Sequence, residues 1–181
     1  MSLRIVAGTH GGRRIAAPPG PSTRPTSDRV REALFSILGA DAVGGAHVLD
    51  LYSGSGALGI EALSRGAAAA TFVEGDEHAE ATIRDNLEKL GLDGRVVRRD
   101  VLAWLQTARA GQSPFDLVFA DPPYSSARET GARLSELLPP LLRETSLTVT
   151  ESDKRDPLIL AMPLVDERTY GDTRIAIHRG V

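Results

Sequence analysis

The chain contains no cysteine, so disulfide frameworks, thiolate metal sites and cysteine nucleophilic catalysis are all excluded. It also lacks any stretch approaching the roughly 20 consecutive apolar residues that a membrane span requires. Its first residues, MSLRIVAGTHGGRR, hold no apolar run of signal-peptide length. A cytoplasmic address is therefore the expectation, with no membrane partner. Internal repeats and low-complexity segments are absent as well, and the basic residues are nearly all arginine, with very little lysine.

What is present is ordinary globular material. The 181 residues are 41% hydrophobic and 25% charged, enough for one compact domain and too few for two. The net charge of −3 argues against a uniformly basic surface. The distribution is uneven, however. Arg4, Arg13, Arg14, Arg24, Arg29 and Arg31 face only Asp28 within residues 1–31, a local +5 that leaves −8 elsewhere. Such asymmetry implies a localised anion-binding face, although an arginine-rich composition also scatters guanidiniums without purpose.

Along the chain, residues 3–7 and 14–17 read as short strands joined by the turn at His10-Gly11-Gly12. The proline-rich stretch 18–26 is an extended connector, because proline fixes φ and removes donors. A helix follows from Ser27 or Asp28 to about Leu38, with Val30, Leu34, Ile37 and Leu38 on its apolar face and Gly39 closing it. Strands and helices then alternate. Strands are expected at 46–52, 69–74, 95–100, 115–121 and 146–152, and helices at 57–66, 77–91, 101–109 and 127–138. Two strand-like runs flank Tyr170-Gly171-Asp172. Repeated βα units of this spacing imply a parallel sheet covered by helices on both faces, since parallel strands need crossovers.

Gly54-Ser55-Gly56-Ala57-Leu58-Gly59 lies between a strand and a helix, the setting in which a GxGxxG pattern has meaning. Glycine allows a sharp turn and close approach to a ligand, while the helix start offers unpaired N–H groups. Glu74, at the end of the next strand, is placed to accept both hydroxyl hydrogens of a ribose. Asp50 precedes the loop, which Tyr52 and Ser53 lengthen. A carboxylate there repels pyrophosphate and suits a cationic ligand such as a sulfonium with an α-ammonium. S-adenosylmethionine therefore fits better than a nicotinamide cofactor. Asp100 is positioned to accept from an adenine amino group, with Val101 supplying the adjacent backbone N–H; Asp100 is equally suited to cap a helix.

Asp121-Pro122-Pro123-Tyr124 follows the strand FDLVFA at its carboxyl end, where open α/β sheets bind ligands. Two prolines set the chain direction so that the Asp121 carboxylate and the Pro122 carbonyl converge on one point. Two acceptors there suit a planar –NH2, and Tyr124 can stack on the attached base. The lone pair of such an amine is delocalised into its ring. Gripping both hydrogens favours the pyramidal form, and an ionised Asp121 stabilises the positive charge developing on nitrogen.

These segments resemble the RsmD family of class I methyltransferases, which act on a guanine N2 of 16S rRNA in the small ribosomal subunit. The resemblance is carried by RPTSDRVREALFSIL (24–38), VLDLYSGSGALGIEALSRGA (48–67), FVEGD (72–76), FDLVFADPPY (115–124) and YGDTRIAI (170–177). It implies a Rossmann-like α/β fold: a mostly parallel seven-stranded sheet with helices on both faces and a small N-terminal β-hairpin. Residues 1–26 would form the RNA-facing extension and residues 27–181 the methyltransferase domain. Cofactor contacts are implied at Asp50, Gly54, Gly56, Glu74 and Asp100, with the segment around Thr26 closing over the ligand. Gly75 departs from the family, where an apolar side chain often packs on adenine. With no appended recognition domain, RNA would be met by the N-terminal hairpin and the 121–130 loop, with Arg13 and Arg14 as phosphate contacts and Arg24, Arg29 and Arg31 as further ones. The expected enzyme is a monomer that needs no metal. The alternatives are an amino-methyltransferase acting on DNA bases or a protein amide, an NAD-dependent oxidoreductase, and a non-catalytic RNA-binding relic.

Overall fold

The computed structural model describes residues 2–19, 27–108, 114–123 and 127–181. Two strands, β1 (Ser2–Arg4) and β2 (Arg14–Ala16), pair antiparallel as a separate hairpin. The remaining strands are β3 (His47–Leu51), β4 (Ala69–Glu74), β5 (Arg95–Arg98), β6 (Phe115–Ala120), β7 (Leu142–Asp153), β8 (Leu164–Tyr170) and β9 (Thr173–Arg179). They form one sheet in the order β5-β4-β3-β6-β7-β9-β8. The first five of these run parallel, and β9 enters antiparallel between β7 and β8. The strand order reverses between β3 and β6, so their carboxyl ends open onto the crevice where such sheets bind ligands.

Alternation along the strands divides the core in two. Val48, Phe72, Leu117, Phe119, Val149, Ile175 and Ile177 face one side. There they meet α1 (Asp28–Val43), α2 (Ala57–Ser64) and α3 (Glu77–Leu90). Leu49, Leu51, Val73, Val118 and Ala120 face the other, against α4 (Val101–Thr107) and α5 (Ala127–Leu137). Burying a side chain such as Phe72 or Phe119 contributes roughly 1.5–3 kcal/mol, so this bilayer of apolar contacts is the main source of stability. Leu3, Ile5 and Ile15 of the hairpin join the first cluster.

Two local features differ from the sequence expectation. Helix α1 does not stop at Gly39; that residue takes φ 74° and kinks the helix, which resumes to Val43. Its buried stripe is Arg31, Leu34, Phe35 and Leu38, rotated from the stripe of Val30, Leu34, Ile37 and Leu38 that apolarity alone selects. Strand β7 is also longer at its start, beginning at Leu142 straight after a single 3₁₀ turn at Pro139–Leu141. Among the described residues no helix is long and apolar enough to cross a membrane.

Candidate active site at the carboxyl edge of the sheet

Helix α2 starts from a loop in which three consecutive features hold the backbone open. Tyr52 takes φ 57°, a left-handed conformation unusual outside glycine, and Gly54 and Gly56 take φ 56° and 77°. The loop is pinned to β4 through Tyr52 N–H donating to the Val73 carbonyl at 3.0 Å. The Ser53 hydroxyl donates to the Asp50 carbonyl at 2.6 Å. Gly59 completes the pattern through close approach. A methyl added there would overlap the Phe72 ring and come within 3.0 Å of Asp50 Oδ2.

Asp50 is buried, and its Oδ2 accepts from the Gly59 N–H at 2.9 Å. Burial pushes its carboxyl up to about 8; the Gly59 bond opposes this and the nearby Glu74 carboxylate adds to it. Asp50 is therefore protonated at neutral pH when nothing positive is beside it. Glu74 lies across the loop with Oε2 accepting from Gly54 N–H at 2.8 Å and Oε1 from Asp76 N–H at 2.9 Å. Each oxygen keeps a further lone pair for a hydroxyl donor. Asp100 caps α4, its Oδ1 accepting from Ala103 N–H at 2.8 Å, and Val101 opens that helix as a buried residue. Burial, reinforced by Asp100, pushes the Tyr52 phenol up to about 12. A methyl built on Gly75 would meet the Arg99 carbonyl and the Asp100 backbone at 3.9 Å, ordinary contact distance, so a side chain there is not sterically excluded.

Asp121 follows β6 directly and is half-buried, with Pro122 buried and Pro123 exposed. Register fixes its surroundings. Asp50 lies opposite Phe119, and Phe119 opposite Val149. Two residues further along the same face come Asp121 and Glu151. Burial, then Glu151, then Asp50 hold the Asp121 carboxyl well above the ordinary range. The predicted site residues Asp50, Tyr52, Ser53, Gly54, Gly56, Glu74, Asp100, Val101, Asp121, Pro122 and Pro123 thus come from the ends of β3, β4, β5 and β6. Thr26, Arg24 and Tyr124 lie outside the described residues.

The arginines divide differently from the sequence expectation. Arg31 is not a surface contact: it is 1% exposed. Its guanidinium pairs with Asp28 at 2.8 Å and bonds the Arg4 carbonyl, and it lies 3.8 Å from buried Glu61. Burial beside acids removes it from any RNA face. Arg13 is exposed, yet it donates to the Lys89 and Leu90 carbonyls at the end of α3, at 2.7 and 3.4 Å. The hairpin turn is seated there with it, Thr9 N–H donating to the Ser64 carbonyl of α2 at 2.7 Å. Helices α2 and α3 begin at the carboxyl edge, so their ends place this turn at the opposite edge from Asp121. Arg14 and Arg29 are exposed, and among the described residues they form no ion pair.

Three structural residues went unrecognised in the sequence. Glu61, wholly buried, accepts from the Val6 and Ala7 N–H groups at 2.7 and 3.0 Å and pairs with Arg65 at 2.7 Å. Asn86 accepts from Ala16 N–H at 2.8 Å and donates to the Ala16 and Ser55 carbonyls at 3.0 and 3.1 Å. It ties the hairpin to the glycine loop. Glu151 is the third. The signal for Glu151 was its polarity on a strand face that is apolar through Leu147 and Val149.

Comparison with known proteins agrees with this architecture. The family model described as conserved hypothetical protein 95 matches residues 3–179. Ribosomal RNA small subunit methyltransferase D of Haemophilus influenzae is 35% identical over 93% of this chain and 89% of its own length. Its Escherichia coli K12 namesake is 44% identical over 123 residues, 67% of this chain and 60% of that protein. A solved hypothetical protein of Thermus thermophilus superposes with a TM-score of 0.83 at 34% identity, covering 98% of this chain and 99% of that one. The chain belongs to the conserved hypothetical protein 95 family, the RsmD family that its motifs resemble.

Proposed function

We propose that the protein transfers the methyl group of S-adenosylmethionine to the exocyclic N2 amino group of a guanine in 16S rRNA. The observation that carries this reading is Asp121-Pro122 at the end of β6, on the sheet face that buried Asp50 also occupies.

Three features fit the ligand. Asp50, buried, and Asp121, half-buried, are both held above the ordinary carboxylate range by desolvation and neighbouring acids, and a fixed positive charge would relieve both. The Glu74 carboxylate, oriented by two backbone N–H groups, is set to accept ribose hydroxyls. Gly75, with no side chain of its own, lets a flat ring approach the backbone beside Asp100, with Asp100 and the Val101 N–H as its polar edge. When bound, S-adenosylmethionine supplies an electrophilic methyl on a positively charged sulfur.

The chain's own residues do the rest. The Asp121 carboxylate and the Pro122 carbonyl accept the two hydrogens of the amine, turning its lone pair out of conjugation. As positive charge grows on nitrogen, the Asp121 interaction strengthens, which lowers the barrier without tightening the ground state equally. A charge-assisted hydrogen bond of this kind contributes roughly 1.5–3 kcal/mol. Fixing both reactants in one crevice contributes more. Tyr124 is assigned to stacking on the guanine and Thr26 to closing over the cofactor.

Residues 1–26 serve as the RNA-facing extension of the catalytic domain at 27–181, acting in the cytoplasm on the small subunit or its rRNA. Arg14 and Arg24 of that extension and Arg29 of α1 are the phosphate contacts, while Arg13 chiefly clamps the extension to α3. The test is incubation with labelled S-adenosylmethionine and unmodified 16S rRNA or small subunits, then nucleoside analysis. Label in N2-methylguanosine is the expected result. Label in another base or in protein, or no incorporation into either substrate, would overturn it.

A further inference from the structure

The carboxyl edge holds one acid more than amine capture and cofactor binding require. Glu151 sits in β7, flanked by β6 and β9, with Ile175 opposite it on β9. Its own face of β7 is apolar up to that point, through Leu147 and Val149, and it is 5% exposed. A valine would satisfy the strand at far lower cost, because burying a carboxylate is expensive. Its register neighbour across β6 is Asp121, since Ala120 pairs with Thr150 one step earlier. Its carboxyl group is therefore set beside the carboxylate that, with the Pro122 carbonyl, receives the reacting amine.

We propose that Glu151 is a positioning residue of the transfer site, whose buried charge makes Asp121 the acceptor of the proton that the methylated amine gives up. The inference rests on the methyl-transfer reading above. In the step, the N–CH3 bond forms as the S–CH3 bond breaks, and sulfur keeps that electron pair. The nitrogen then carries one proton too many, which passes to the Asp121 carboxylate. A lone carboxylate in water is a poor acceptor near neutral pH. Beside Glu151 and Asp50, Asp121 gains proton affinity, and the direction in which its neighbours hold it agrees.

Among the described residues, the acids that act on Asp121 are Glu151 from β7 and Asp50 from β3, with Glu74 at the end of β4 acting through Asp50. The helices on this face bring buried Arg31 and Glu61, which are engaged with each other, with Asp28 and with the hairpin.

The experiment is the pH profile of single-turnover methyl transfer, at saturating cofactor and rRNA, for wild type, E151Q, E151T and E151D. The neutral variants should move the acid limb about one pH unit lower and cut the plateau about tenfold, because Asp121 is then ionised more easily but accepts a proton less well. E151D, which keeps the charge, should stay near the wild-type limb. E151T, suited to a strand, carries the same reading should E151Q fail to fold. An acid limb that stays in place in the neutral variants overturns the proposal, whatever their rate or melting temperature. Failure of the underlying reading looks different: the wild-type enzyme itself would transfer no methyl group.

Discussion

At the residue scale, Asp50 matters most through its protonation. Its carboxyl is ordinary in the unfolded chain, at 3.8, and is raised to about 8 in the folded protein without ligand. Between those values the folded state holds one proton more than the unfolded state. The contribution of Asp50 to stability is therefore full below pH 4 and falls as pH rises towards 8. A cationic ligand reverses the preference, because it favours the ionised carboxylate and expels the proton. Affinity for S-adenosylmethionine is predicted to rise between pH 6 and 8, by up to about tenfold per pH unit for each proton released. Asp50→Asn should bind more weakly and lose much of that slope in calorimetric titrations. A wild-type affinity that does not change over the interval would remove Asp50 as a charge partner.

The same scale shows why part of the candidate site is legible in the sequence and part is not. Asp50, Glu74 and Asp121 stand at the ends of apolar strands, where alternation and glycine spacing point at them directly. Arg31 was misread because a charged side chain near the N-terminus looks solvated. Its spacing to Leu34, Phe35 and Leu38, three, four and seven residues on, is that of a buried stripe. The acids that neutralise it come from Glu61, 30 residues away, and Asp28. Only the fold brings Glu61 to it.

At the element scale, the hairpin is held by buried polar groups as well as by its apolar side chains. Glu61 projects from α2 into the backbone of Val6 and Ala7, and Gly8 lies so close to the Ser64 carbonyl that any side chain would clash. Removing one partner of such a cluster leaves buried N–H groups and the Arg31 charge uncompensated. Glu61→Ala is predicted to cost about 3–5 kcal/mol. In a chain of this length that is a fall of about 10 °C in melting temperature. A loss under about 2 °C would mean that the hairpin is held by its apolar contacts alone. The elements themselves were legible because helix and strand periods differ so plainly in this chain. The kink at Gly39 was not, since a glycine ending one helix and a glycine joining two have the same local sequence.

At the scale of the whole molecule, the alternation of strands and helices was enough to read the sheet and its carboxyl edge. Insertion of β9 between β7 and β8 was beyond it, because strand order depends on long-range pairing. The basic N-terminal segment also divides only in three dimensions. Arg31 is buried, Arg13 clamps α3, and Arg14 and Arg29 remain exposed. Arg14→Ala/Arg29→Ala is predicted to reduce the slope of log affinity for rRNA against log salt by roughly 1–2. An unchanged slope would place the RNA face elsewhere. Arg13→Ala should act mainly on thermal stability.

The central claim is that a carboxylate and a peptide carbonyl at the end of β6 grip the amine that receives the methyl group. It is tested most directly by measuring methyl transfer to 16S rRNA by Asp121→Ala at a cofactor concentration shown by calorimetry to saturate it. The predicted result is a loss of at least about 10²-fold in single-turnover rate, with cofactor affinity close to that of the wild type. Transfer within a few-fold of wild type, with the same nucleoside product, would contradict the account.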